Sequence, residues 1–74
     1  MTGAEFLRKV KAVADGRAVS FRFVARRGKG SHGTLYFGKR KTIVQDLKDE
    51  LPKGTLHAML RQIGLTLNEL SEKH

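Results

Sequence analysis

The stretch VSFRFVA, residues 19 to 25, decides the fold because its side chains alternate in character. The odd positions are all apolar: Val19, Phe21, Phe23 and Ala25. The even positions are Ser20, Arg22, Val24 and Arg26. A period of two predicts a half-buried strand, with the odd side chains facing a core and the even ones facing solvent.

Two further strands are predicted after this one. Thr34–Phe37 predicts a second strand with Leu35 and Phe37 inward, and a tight GKRK turn follows it. Lys41–Val44 predicts a third strand, in which Ile43 is the expected core residue. The short connections favour an antiparallel meander.

A helix is predicted before the strands, over Thr2–Ala14. Thr2 and Glu5 have the spacing of a capping box, which stabilises a helix start. Apolar residues at helical spacing define one stripe: Phe6, Leu7, Val10, Val13 and Ala14. We expect this helix to end at Gly16.

A second helix is predicted over Leu51–Leu65, with Pro52 in its first turn and Gly64 as a left-handed closing residue. Thr66 and Glu69 form another capping box, which predicts a short final helix. The whole order predicts an α+β two-layer sandwich of helix, three antiparallel strands and helix, with a short C-terminal helix. The 74 residues are expected to form a single domain.

Charge is concentrated in the middle of the chain. The formal net charge is +8, and no acidic residue occurs from Gly16 to Gln45. Eight cations lie in that segment: Arg17, Arg22, Arg26, Arg27, Lys29, Lys39, Arg40 and Lys41. A concentrated positive field attracts polyanions, so nucleic acid is the leading candidate partner. The alternative is a solvated basic face that serves solubility.

The segment RRGKGSHG, Arg26 to Gly33, combines three cations, three glycines and His32. Glycines allow the backbone to approach a ligand closely, and successive N–H groups can form an anion-binding nest. An imidazole there could act as general base on a ribose 2′-hydroxyl, with no metal required. The parity of the second strand predicts that His32 faces the open sheet surface. A phosphate-contacting or plain surface histidine is the alternative.

Three short motifs follow one another along the chain: GSH at Gly30–His32, PKGTL at Pro52–Leu56 and RQIG at Arg61–Gly64. In order and spacing they resemble the HicA toxins, small mRNA interferases of prokaryotic toxin–antitoxin pairs. The resemblance covers nearly all of the chain from Phe23 onward. One departure is Gly33, since many members have a second histidine at that position.

The resemblance implies a fold like that of double-stranded-RNA-binding domains and ribosome-independent cleavage of mRNA. It implies that His32 is the catalytic residue and that a HicB-type antitoxin is the protein partner. We expect seven residues to bind RNA: Arg26, Arg27, Lys29, Gly30, Ser31, Lys41 and Lys53. No metal or other cofactor is expected.

Other residues leave alternatives open. Tyr36 either stacks on a base or packs on Arg22, and Lys53 either holds a phosphate or is simply exposed. His57, on the polar side of the second helix, is expected to be a solvated residue, with a contact to RNA as the alternative. A non-catalytic RNA-binding module and a basic DNA-compacting protein remain the alternative functions.

The absence of cysteine excludes disulfides and thiolate metal sites. No segment approaches the ~20 consecutive apolar residues of a membrane span, and the N-terminus lacks the apolar block of a signal peptide. We therefore expect a cytoplasmic protein with no membrane partner.

Overall fold

The computed structural model describes residues 1–25, 32–45 and 47–71. Six elements follow in order: α1 (Gly3–Arg17), β1 (Phe21–Ala25), β2 (Gly33–Phe37), β3 (Arg40–Val44), α2 (Lys53–Ile63) and α3 (Leu67–Ser71). The strands form one antiparallel sheet in the order β1-β2-β3. The predicted α+β arrangement of helix, three antiparallel strands and helices is confirmed.

One face of the sheet, the inner face, is part of the core. Phe21 lies opposite Phe37, and Phe23 lies opposite Leu35. Leu35 has no exposed surface and Phe37 is buried, so the predicted alternation of β2 is confirmed. The helices contribute most of the remaining buried apolar side chains: Phe6, Val10, Val13, Ala14, Leu56, Met59, Leu60, Ile63 and Leu70.

The prediction that Ile43 is a core residue is wrong. The register places Thr42 opposite Leu35 and Ile43 opposite Thr34, so Ile43 lies on the outer face and is 56% exposed. Thr42 is buried instead, and its hydroxyl donates a hydrogen bond to the side-chain oxygen of Gln62 in α2. A buried polar group is tolerated when it has such a partner.

Helix α1 begins as predicted and ends later than predicted. The Thr2 hydroxyl accepts from the Glu5 N–H at 3.2 Å, and the Glu5 carboxylate accepts from the Thr2 N–H at 3.0 Å. The backbone bond from Thr2 lowers the pKa of Glu5. Gly16 lies inside the helix, and Ala18 takes the left-handed conformation at its end, with φ of 55°.

Helix α2 begins at Lys53 and not at Leu51 as predicted, because Pro52 has an extended ψ of 146° and is the residue before the first turn. Gly64, with φ of 77°, closes the helix as predicted. The Leu65 N–H donates to the Leu60 carbonyl at 2.9 Å, which completes the predicted closure. Helix α2 packs along β3. A side chain built on Gly64 would start 3.3 Å from Arg40 Nε, so this cation lies beside the carbonyl end of the helix.

Helix α3 is held at its start by the predicted capping box. The Glu69 carboxylate accepts from the Thr66 N–H at 2.8 Å, and the Glu69 N–H donates to the Thr66 hydroxyl at 3.2 Å. Arg17, at the end of α1, also donates to the Glu69 carboxylate. The Arg17 bond, with that from Thr66, lowers the pKa of Glu69.

Candidate nucleic-acid interface

His32 immediately precedes β2 and is half-buried. Burial alternates without interruption from His32 to Phe37, with intermediate values at even positions and buried ones at odd positions. His32 therefore follows the parity of Thr34 and Tyr36, which point to the outer face.

Gly33, the residue after His32, pairs with Ala25 of β1 and has no room for a side chain. A Cβ built there would be 2.3 Å from the Val24 carbonyl oxygen and 2.8 Å from both Ala25 Cα and the Phe23 ring. No side chain fits in that space without a shift of the β1 backbone. In this chain, the position that follows the GSH motif is thus structural and carries no proton donor.

Three side chains cross the outer face in one row, because Tyr36 pairs with Arg22 on one side and with Lys41 on the other. The Arg22 guanidinium lies 5.1 Å from the centre of the Tyr36 ring, which is a cation–π contact. Both cations are exposed. Within the described ranges, neither forms an ion pair.

A second row lies between that one and His32. Thr34 is half-buried there, flanked by Val24 and Ile43, which are 45% and 56% exposed. This row adds exposed apolar surface beside Tyr36, the aromatic side chain of this face on which a base can stack. The outer face thus combines positive charge, one aromatic ring and apolar surface.

Helix α2 brings its N-terminal end to the same end of the sheet as His32. Gln62 contacts Thr42 in mid-strand, whereas Thr55 and Met59 line a groove with Gln45, just beyond the end of β3. Continuing the β2–β3 register by one residue puts Gln45 opposite His32. The exposed Lys53 begins the helix at this end of the molecule.

Of the predicted site residues, the structure describes three: His32, Lys41 and Lys53. Lys41 lies on the outer face and Lys53 at the start of α2, and both are exposed. The predicted residues Arg26, Arg27, Lys29, Gly30 and Ser31 lie outside the described residues.

Two grooves along β3 were not predicted. One, of about 280 Å³, is lined by Thr34, Tyr36, Lys41, Thr42, Ile43 and Gln62. The other, of about 330 Å³, shares Thr42, Ile43 and Gln62 with the first and extends to Gln45 and Thr55. In the sequence, the one indication of these grooves was Gln62 in the RQIG motif, a polar residue between the buried positions Leu60 and Ile63. Only the register of β3 shows that it reaches Thr42.

The chain matches no protein-family model, no curated protein and no solved structure. The resemblance to HicA toxins therefore depends on the short motifs of this chain. In the part of the chain that the structure describes, no three His, Cys, Asp or Glu side chains are grouped as metal ligands are. The same part contains no helix whose length and apolar character would let it cross a membrane.

Proposed function

We propose that this protein is an endoribonuclease that cleaves mRNA without a metal ion, and that it is the toxin of a cytoplasmic toxin–antitoxin pair. The observation that carries the proposal is the place of His32. The imidazole is half-buried, at one end of an open sheet face that carries Arg22 and Lys41. No acidic residue occurs in the chain from Gly16 to Gln45, so nothing within that segment repels an RNA strand.

In the proposed reaction, His32 is the general base. Its unprotonated ring nitrogen takes the proton of a ribose 2′-hydroxyl, and the 2′-oxygen attacks the adjacent phosphorus. The bond from phosphorus to O2′ forms and the bond to O5′ breaks. The leaving 5′-oxygen takes a proton from water, and no residue of the chain is assigned as the general acid. The products are a 2′,3′-cyclic phosphate and a 5′-hydroxyl end.

Cations hold the substrate in this proposal. Lys41 and Lys53 contact phosphates, as do the side chains of Arg26, Arg27 and Lys29, while Gly30 and Ser31 shape the loop. Positive groups near the attacked phosphate also stabilise the charge that develops in the transition state. The field of such a face guides the polyanion to His32 before contact.

The test compares the wild type with His32→Ala, and His57→Ala serves as the matched control because His57 is exposed on α2. The substrate is a single-stranded RNA of mixed sequence, incubated with EDTA. We expect His32→Ala to slow cleavage by about 10²- to 10⁴-fold, the usual contribution of a general base. His57→Ala should cleave like the wild type.

Two further measurements define the chemistry. The products should carry 2′,3′-cyclic phosphates, and an RNA with one 2′-deoxyribose should resist cleavage at that nucleotide. Equal cleavage by the wild type and His32→Ala would refute the proposal. Cleavage next to a 2′-deoxyribose would refute the mechanism.

A non-catalytic RNA-binding module is the second candidate, since the row of Arg22, Tyr36 and Lys41 could bind RNA without any role for His32. It predicts tight binding of RNA and no cleavage by the wild type. The DNA-compacting alternative predicts tighter binding of duplex DNA than of RNA at one fixed salt concentration.

A HicB-type antitoxin is the proposed protein partner. A basic face of this kind attracts an acidic surface, and rising salt weakens such an attraction. Co-purification of the two proteins across a salt series should therefore show progressive loss of the antitoxin. Retention at every salt concentration would indicate an apolar contact instead.

A further inference from the structure

We infer that the groove between Tyr36, Ile43 and Gln62 is a subsite that binds one base of a single-stranded RNA. This inference rests on the proposed function for the identity of the polymer, and it adds a place where a base is recognised. The groove is distinct from the position of His32 and involves residues that the sequence did not single out for this role, Ile43 and Gln62.

The first argument is the composition and size of the groove. Its wall combines the half-buried ring of Tyr36 with the exposed aliphatic side chain of Ile43, and Lys41 lies at its rim. Drug-sized ligands occupy pockets of roughly 300 to 1,000 Å³. A groove of about 280 Å³ therefore suits a single planar ring system with its sugar outside.

The second argument is the orientation of Tyr36. Arg22 lies against the ring from the β1 side, whereas the groove is on the β3 side. The cation–π contact thus limits movement of the ring and leaves its other side available to a base. A ring that is held before binding loses little conformational freedom when a base stacks on it.

The third argument is the amide of Gln62. Its oxygen accepts the hydroxyl of Thr42, so the amide nitrogen is directed away from that bond. Within the described ranges, this nitrogen has no hydrogen-bond partner. It can therefore donate to an acceptor on the edge of a base, which gives the subsite a means of discriminating among bases.

The fourth argument is continuity with His32. The second groove leads from Thr42 and Ile43 to Gln45, whose register position is opposite His32. Tyr36 is four residues from His32 along the strand, about 13 Å at ~3.3 Å per residue. A base in the subsite therefore belongs to a nucleotide close to the cleaved bond along the same strand.

The test measures binding of fluorescent rA, rC, rG and rU oligonucleotides by anisotropy, with all proteins carrying His32→Ala so that the RNA stays intact. Tyr36→Ala removes the ring, and Tyr36→Phe is the matched control that keeps it. We expect Tyr36→Ala to weaken binding about fivefold or more, because stacking contributes about 1 to 3 kcal/mol per base. Tyr36→Phe should bind within about twofold of its parent.

The amide is tested by the double variant Thr42→Val with Gln62→Leu, which replaces a hydrogen-bonded pair by an apolar pair and keeps the contact between β3 and α2. A single donor to a base is worth about 1 kcal/mol. We therefore expect the affinity differences among the four oligonucleotides to shrink by about fivefold. Thermal unfolding verifies that each variant is folded, and Ile43→Ser, at an exposed position, provides a second probe of the groove.

The outcomes separate this inference from the proposed function. If Tyr36→Ala, Ile43→Ser and the double variant all bind as their parent does, the subsite is refuted, whatever His32→Ala does to cleavage. If the wild type never cleaves RNA but Tyr36→Ala and the double variant show the expected losses, the nuclease is refuted and the subsite stands.

Discussion

The two faces of the sheet differ in what their side chains contribute. The inner face packs Leu35, Phe37 and Val44 against the helices, and a change there alters stability. The outer face leaves Val24, Ile43 and two cations in solvent, and a change there should leave the fold intact. This separation means that stability and the proposed RNA binding can be altered independently in a chain of 74 residues.

The largest expected effect comes from comparing Leu35→Ala with Ile43→Ala, since these residues occupy adjacent strands on opposite faces. Leu35 has no exposed surface, so its truncation leaves a cavity and should lower the free energy of unfolding by about 3 kcal/mol. Ile43→Ala should cost less than about 1 kcal/mol because that side chain is mostly in solvent. Urea denaturation measures both, and equal losses would contradict the assignment of the two faces.

The next effect concerns the hydrogen bond from Thr42, on the inner face of β3, to Gln62 in α2. Gln62→Leu leaves the buried Thr42 hydroxyl without its partner and should cost about 2 kcal/mol. Thr42→Val leaves only the exposed Gln62 amide, which water can hydrate, and should cost about 1 kcal/mol or less. If Thr42→Val lowers the free energy of unfolding more than Gln62→Leu does in urea denaturation, Gln62 is not needed to satisfy the buried Thr42 hydroxyl.

A smaller effect is expected for the cations of the outer face. Lys41 lies in the row with Tyr36, whereas Lys39 lies in the turn that ends the hairpin. Lys41→Gln should weaken RNA binding a few-fold and reduce the slope of log affinity against log salt by about 0.7, the value for one phosphate of a single strand. Lys39→Gln is the charge-matched control, and an equal change of slope in both variants would show that only net charge matters.

The smallest expected effect is on the pH dependence of stability, and it involves the helix caps and neither face of the sheet. The pKa values of Glu5 and Glu69 are lowered by hydrogen bonds in the folded protein, so the unfolded chain binds protons more readily. The stabilisation that these two carboxylates contribute is therefore fully present above the ordinary pKa of 4.5, and it is lost as the pH falls through the lowered pKa values. Glu69→Gln should flatten this loss in urea titrations between pH 7 and pH 3. Asp49→Asn, at an exposed position outside both caps, should flatten it less than Glu69→Gln does.

The elements of the fold could be predicted from the sequence because their signals are local. The capping boxes at Thr2 and Thr66 and the closing residue Gly64 depend on neighbours a few positions away. Ala18 was not predictable in the same way, because nothing about alanine favours a left-handed conformation. Gly16 misled the prediction for the end of α1, since glycine is tolerated inside a helix at a modest cost.

The site was less predictable because it depends on pairing between elements. The segment TIV contains two apolar residues and one polar residue, and hydrophobicity alone favours Ile43 as the buried one. The register with β2 reverses that choice, and the resulting bond from Thr42 to Gln62 spans 20 residues of sequence. The parity of His32 could be predicted because it depends only on the alternation within its own strand.

Gly33 has a consequence for the alignment of β1 and β2. Only a hydrogen atom fits beside the Val24 carbonyl and the Phe23 ring at this position. If β2 slid by one residue in either direction, the side chain of His32 or Thr34 would have to enter that space. This steric restriction therefore opposes slippage of β2 against β1. It fixes the register position of His32, whatever contacts the imidazole itself makes.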